Sequence, residues 1–278
     1  MLYFLKSRNG VRAMQVNNNG ISSLLGQVQE KQNNLFEKLA SGKKVNNALD
    51  DASAQQIIDR LTSEVEGSRQ AINNVYDGIS LAQVAEGGLG SINDDVNRIR
   101  ELTLQSGSGI LSSGDRRAIQ SEITQLQENI TQTIEQTNFA GKPLLSSDGE
   151  LSFQAGANSG QSISVGTQDI ASKLSGVLSI DITSGTSVDE ALNAADEAIE
   201  VVGGARGDLG ATQNRFESAA RSLTQSNINT AEARSRIQDL DFAQAASERA
   251  SNDVLGQAAL TVQAQANQQE GQVLSLLS

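Results

Sequence analysis

Between residues 21 and 39, apolar side chains fall at Ile21, Leu24, Leu25, Val28, Leu35, Phe36 and Leu39. Intervals of three and four place them on one side of a helix. The polar stretch SGKK (41–44) ends that pattern. A longer stripe follows at Ile58, Leu61, Val65, Ile72, Val75 and Ile79, a seven-residue repeat with Ser68 in one slot. It resumes after EGGLG (86–90) with Ile92, Val96, Ile99 and Leu102. A periodic pattern this long predicts a coiled coil. The interrupting glycines cost about 1 kcal/mol each relative to alanine, which a long seam absorbs. SGSGILSSGD (106–115) reads as a loop. Asp115 or Ser113 then caps a helix carrying Ile119, Ile123, Leu126, Ile130 and Ile134, which turns back along the previous one.

The period then changes. Leu151, Phe153 and Ala155 alternate with polar residues, as do Ile163 and Val165, and ANSG (157–160) lies between them. That pattern predicts a β-hairpin. Helical spacing returns at Val188, Leu192, Ala195 and Ile199, after a Ser/Thr-rich start. A further helical run extends from Leu209 to Ile237, with GGARGDLG (203–210) as a flexible link before it. The last stretch carries Val254, Leu255, Ala258, Val262, Ala266, Val273 and Leu276. The expected fold is therefore mainly α. Long antiparallel helices form a coiled-coil or helical-bundle rod, with a small β-hairpin region in the middle. Both terminal segments are amphipathic but narrow, and isolated helices are marginal in water. They are expected to pair with each other and with copies of themselves.

Composition sharpens this picture. Only 3% of the 278 residues are aromatic, and Trp, His and Cys are absent. Leu, Ile, Val and Ala must make the apolar contacts, which suits helix–helix seams. Without His or Cys there is no Ser-His-Asp triad, no thiol nucleophile and no zinc site of the usual kind. The formal net charge of −12 disfavours nucleic acid and anionic membranes as partners. No apolar run reaches membrane-spanning length. The opening MLYFLKSRNGVRAM has its apolar and basic parts in the wrong order for a secretory signal.

Few stretches carry candidate chemistry. Asp50 and Asp51 stand together before a helix with no base, thiol or histidine nearby in sequence. They read as first-turn carboxylates near the positive end of the helix dipole, with Asn46 or Asn47 as the cap. NRIRELTLQ (97–105) reads as a charged helix face over Ile99 and Leu102. GGARGDLG lacks the Lys-Ser/Thr ending of a phosphate loop. INDDVN (92–97) lacks the acidic spacing of a calcium loop, and SSDGE (146–150) is a turn. No catalytic, metal or cofactor site is expected.

Several long segments resemble bacterial flagellin. LASGKKVNNALDDASAQQIIDRL (39–61) is similar to that family's signature after its first helix. DGISLAQVAEGGLGSINDDVNRIRELTLQS (77–106) is similar to its long rod helix, and GANSGQSISV (156–165) to its β-hairpin. LGATQNRFESA (209–219), ARSRIQDLDFA (233–243) and QANQQEGQVLSLL (265–277) resemble its C-terminal third. The resemblance implies a secreted subunit, exported unfolded by the type III flagellar apparatus and polymerised into an extracellular filament for motility. It implies an inner coiled-coil domain from residues 14–45 and 239–278. A rod domain follows from residues 46–140 and 187–238, with a hairpin and short insert at 141–186. The outer domains of longer members are expected to be absent, leaving no room for an enzymatic insert. Residues 1–13 precede the matching part and are expected to be an extension before a start at Met14. Counted from there, the first helix is about a turn shorter than usual in the family.

Implied partners are the chain itself, an export chaperone and the export apparatus, the filament cap, the hook-junction proteins and Toll-like receptor 5. The positions that match the receptor and inter-subunit determinant are Arg98, Leu102 and Glu122. The terminal self-assembly seam is expected at Leu24, Val28, Leu35, Leu39, Leu255, Val262, Val273 and Leu276. The C-terminal helix, its apolar face unpaired in the free chain, is the expected chaperone segment. The alternative within the superfamily is a hook–filament junction protein.

Overall fold

The structure, a computed structural model, describes residues 2–184 and 187–277, with side chains for 20, 22–184, 187–269, 271 and 272. The elements run α1 (Leu2–Ser41), α2 (Ala52–Ser106), α3 (Ser113–Gln136), β1 (Asn138–Phe139), β2 (Lys142–Pro143), β3 (Gly149–Gln154), β4 (Ser162–Thr167), α4 (Ile170–Lys173), α5 (Ser175–Leu178), α6 (Val188–Gln238) and α7 (Phe242–Leu277). The chain divides into two units. One holds residues 1–62 and 231–278, the other residues 63–230.

The core of the 63–230 unit lies among α2, α3, α6 and the hairpin. On α2 the buried stripe is Val65, Ser68, Ala71, Val75, Gly78, Ala82, Ala85, Leu89, Ile92, Val96 and Ile99. It is a three-four repeat without a break at EGGLG. Ile72 and Ile79, expected on the stripe, lie half-buried at its edge beside Ala71 and Gly78. Small residues hold the centre because neighbours come close there. A Cβ on Gly78 would stand 2.5 Å from Phe216, which is fully buried.

The expected cap of α3 shifts by one residue. Ser112 is the N-cap, accepting from the Asp115 amide, while the Asp115 carboxylate accepts from the Ser112 amide. This reciprocal box satisfies two amides that the first turn otherwise leaves unpaired. At the other end of α3 a tight turn joins β1 to β2, with Ala140 and Gly141 at positive φ. β3 and β4 pair antiparallel, with Leu151 opposite Val165 and Phe153 opposite Ile163. These four side chains face the core, and the Phe153 ring meets Phe216 edge-on at 5.7 Å.

One expectation is corrected in α6. Residues 203–210 are not a flexible link, because the helix runs unbroken from Val188 to Gln238. Val202, Ala205 and Leu209 continue the buried stripe through the glycines. That burial outweighs the conformational cost of Gly203, Gly204, Gly207 and Gly210.

In the other unit α1 and α7 lie antiparallel. The amide of Leu240 donates to Gly42 and that of Lys44 to Gln238, tying their near ends. Gln32 donates to Asp253 further along. Gly42, at positive φ, ends α1 and receives the Phe242 ring within ordinary contact.

Candidate functional site

The paired terminal helices carry both buried and exposed apolar side chains. On α1, Val28 and Leu35 are buried and Leu25 and Leu39 half-buried, again at intervals of three and four. α7 answers with small residues, Ala245, Gly256 and Ala259. A Cβ on Gly256 would lie 3.5 Å from Val28, so the two backbones approach closely there. Other apolar side chains of the pair stay open to solvent. Leu24 is 52% exposed, Leu255 54% and Val262 51%, and Phe36, Val254 and Leu260 are exposed with them. Sequence periodicity alone did not separate the buried positions from the exposed ones. Val254 and Leu255 are neighbours about 100° apart on the helix, so one of every such pair must leave the inner seam. Val28 approaches Gly256 of α7 within the chain, whereas Leu24, Leu255 and Val262, expected on the same seam, stay about half exposed. Val273 and Leu276 lie outside the described side chains.

The aspartate pair before α2 has a local structural role. Asp51, not Asn46 or Asn47, caps the helix by accepting from the Ala54 amide at 2.9 Å. Asn47 instead closes the preceding turn, accepting from the amides of Leu49 and Asp50. Asp50 accepts from the Asn46 amide, which holds its carboxyl below the usual carboxylate range, with help from the Asn47 amide and Lys38. The oxygens of Asp50 and Asn47 and one of Asp51 thus meet backbone amides or Lys38.

On the 63–230 unit, Arg98 donates through Nε and an Nη to Glu122 of α3, and through its other Nη to Glu101. These carboxylates, Glu122 foremost, hold the guanidinium above its ordinary range. Arg100 points the other way and pairs with Asp196 of α6. Leu102 is 1% exposed. It is thus buried in the single chain, unlike Arg98 and Glu122, with which it was expected to share a surface. Leu104, a residue that periodicity did not single out, is also exposed. Among the described residues no group of acidic side chains could hold a metal ion, and no helix is long and apolar enough to cross a membrane.

The profile of the bacterial flagellin N-terminal helical region matches residues 13–149, and that of the bacterial flagellin C-terminal helical region matches residues 192–277. A flagellin of Halalkalibacterium halodurans is 37% identical over 245 residues, spanning 87% of this chain and 90% of its own. The chain belongs to the bacterial flagellin family. A flagellin of Bacillus subtilis is 36% identical, over 87% of this chain and 91% of its own. Among solved structures, Bacillus cereus flagellin superposes with a TM-score of 0.50 at 24% identity, covering 58% of this chain and 94% of its own. A flagellar hook-associated protein of Vibrio parahaemolyticus reaches 0.60 at 15% identity, covering 68% and 100%, a likeness of fold alone. As a flagellin, the chain is a structural subunit of the extracellular flagellar filament, of the short form without large outer domains. The family is one of structural proteins that assemble with copies of themselves.

Proposed function

We propose that this flagellin polymerises by covering the exposed apolar side chains of α1 and α7 with the same helices of neighbouring copies. One observation carries the reading. The antiparallel pair buries Val28, Leu35, Ala245 and Ala259, yet leaves Leu24, Phe36, Val254, Leu255, Leu260 and Val262 exposed. Burying a side chain of this size contributes about 1.5–3 kcal/mol, so several together favour a durable polymer once neighbours order the helices. Before export, the same side chains on α7 mark the segment a flagellar chaperone would hold. The filament cap and the hook-junction proteins would meet it at the ends of the polymer.

Replacing Leu255 and Val262 with aspartate tests the first part. Seeded filament growth, followed by sedimentation and electron microscopy, should stop while the helix content of the monomer is kept. Normal growth of that variant would refute it. We place Toll-like receptor 5 recognition and a contact between copies on the Arg98–Glu122 face, with Leu102 as its support. Arg98→Asp should weaken both receptor signalling and polymerisation, and unchanged signalling by the mutant monomer removes the assignment.

A further inference from the structure

Ile110 and a cavity midway along α2 are a knob and a hole, each without a partner in the single chain. The knob stands on a short, well-held loop. The amides of Gly107, Ser108 and Leu111 donate to the carbonyls of Leu104, Gln105 and Ser108. Leu111 packs against the core, and the Ser112–Asp115 box fixes the exit. Ile110 is left 93% exposed at the tip. Arg116 and Arg117 follow it closely, and neither joins an ion pair among the described residues.

The hole is a cavity of about 180 Å³ lined by Leu81, Ala85, Leu89, Leu145, Ala205 and Leu209. Exposed Gly166 and Asp208 stand at its edge. Asp208 has no ion-pair partner among the described residues either. Most of its wall is apolar, with Thr167, Gln168 and Thr212 adding polar atoms beside Asp208, and its size suits a small apolar group. Ala85 and Ser106 belong to one helix, so they are separated by about 30 Å at ~1.5 Å per residue. A copy therefore cannot fill its own cavity. Two different patches that complement each other give a head-to-tail contact, which propagates when it does not close.

We propose that Ile110 of one copy enters the cavity of the next, with Arg116 or Arg117 set against Asp208 at the lip. The contact rests on the filament reading above and adds a named joint within it. The charges agree as well: a cationic pair behind the knob and the single carboxylate of Asp208 beside the hole, in a chain whose net charge otherwise makes copies repel.

The absence of cysteine allows a direct test. A chain carrying Ile110→Cys and Gly166→Cys would be grown on wild-type seeds, oxidised and run on a denaturing gel. A Cβ on Gly166 meets nothing within 4 Å, so the second change fits. A ladder of covalent multimers is expected, because each copy joins one neighbour at residue 110 and another at 166. Filaments that yield only monomers and dimers overturn the contact and leave the filament reading intact. Wild-type chain that never polymerises would instead sink the filament reading itself. Should the double variant not grow, critical concentrations decide. Ile110→Ala and Asp208→Arg should each raise the critical concentration, Ile110→Ala by about tenfold or more. An unchanged value for Ile110→Ala overturns the proposal. So does an effect of Asp208→Arg alone, which would mean that something other than Ile110 occupies the cavity.

Discussion

Gly78 shows how much one hydrogen atom in place of a methyl decides. It lies on the buried stripe of α2, and Phe216 occupies the space a Cβ would need. Gly90, one of three glycines in EGGLG, meets nothing within 4 Å. Alanine is the better helix former by about 1 kcal/mol, so Gly90→Ala should raise stability by up to that amount. Gly78→Ala should instead lower it by about 1–3 kcal/mol through overpacking, which outweighs the propensity gain. Urea unfolding of the monomer gives both signs, and a stabilised Gly78→Ala protein would contradict the packing. The sequence cannot separate these glycines, because nothing local reports which one a distant aromatic approaches. Asp181 offers a second residue-scale test. The hydroxyl and amide of Thr183, then Ser184, donate to its carboxylate and hold its pKa down at about 2, from 3.8. A depressed pKa in the folded state means its contribution is complete above the unfolded value and lost as pH falls through the folded one. The stability difference between wild type and Asp181→Asn should therefore be constant from pH 7 to 5 and shrink from about pH 4 towards 2. A difference that grows on acidification would show that these bonds do not form.

At the scale of elements, periodicity predicts existence and type well and continuity poorly. The stripe of α3 and the alternation of β3 and β4 follow directly from where Leu, Ile and Val fall, whereas α7 buries alanine and glycine and leaves Leu255 and Val262 exposed. The path through GGARGDLG does not follow in this way, because glycine density signals a loop while the burial of Val202, Ala205 and Leu209 signals a helix. Packing across α6 settles the conflict, and packing is not written in any local window. Gly204 makes the continuity testable. It meets nothing within 4 Å, so Gly204→Ala should raise stability by about 0.5–1 kcal/mol. Gly204→Pro should cost about 3 kcal/mol or more by removing a helical hydrogen bond and clashing with the preceding turn. A flexible link would accept both changes with little effect, so two near-neutral variants in a denaturant titration would refute the unbroken helix. The cap positions follow the same lesson on a smaller scale. Asn47, Asp51, Ser112 and Asp115 are all recognisable cap or turn formers, but only the backbone path shows which amide each one meets.

For the whole molecule, the decisive contrast is between its two units. Residues 63–230 hold a core in which Val75, Ile92, Ile99, Ile123, Ile130 and Phe216 are essentially sealed from water. Residues 1–62 and 231–278 hold α1 and α7, whose shared seam is narrow and made on one side from alanine and glycine. Local opening free energy tracks buried apolar contact. Amide hydrogens in peptides from residues 22–40 and 245–269 of the monomer should therefore exchange far sooner than those from 85–102. The order should change on polymerisation. When neighbouring copies cover Leu24, Phe36, Leu255 and Val262, opening either helix must also break contacts with those copies. Terminal-helix exchange should then slow by several orders of magnitude, since each 1.4 kcal/mol of added protection is about a tenfold change. The core peptides, already protected, should change little. Hydrogen-exchange mass spectrometry on monomer and filament reads both. Terminal helices as protected in the monomer as the core would remove the reason for assembly to depend on them. Terminal helices left unprotected in the filament would show that other surfaces hold the polymer together, and the Ile110 joint, which lies wholly within residues 63–230, would then be the first to examine.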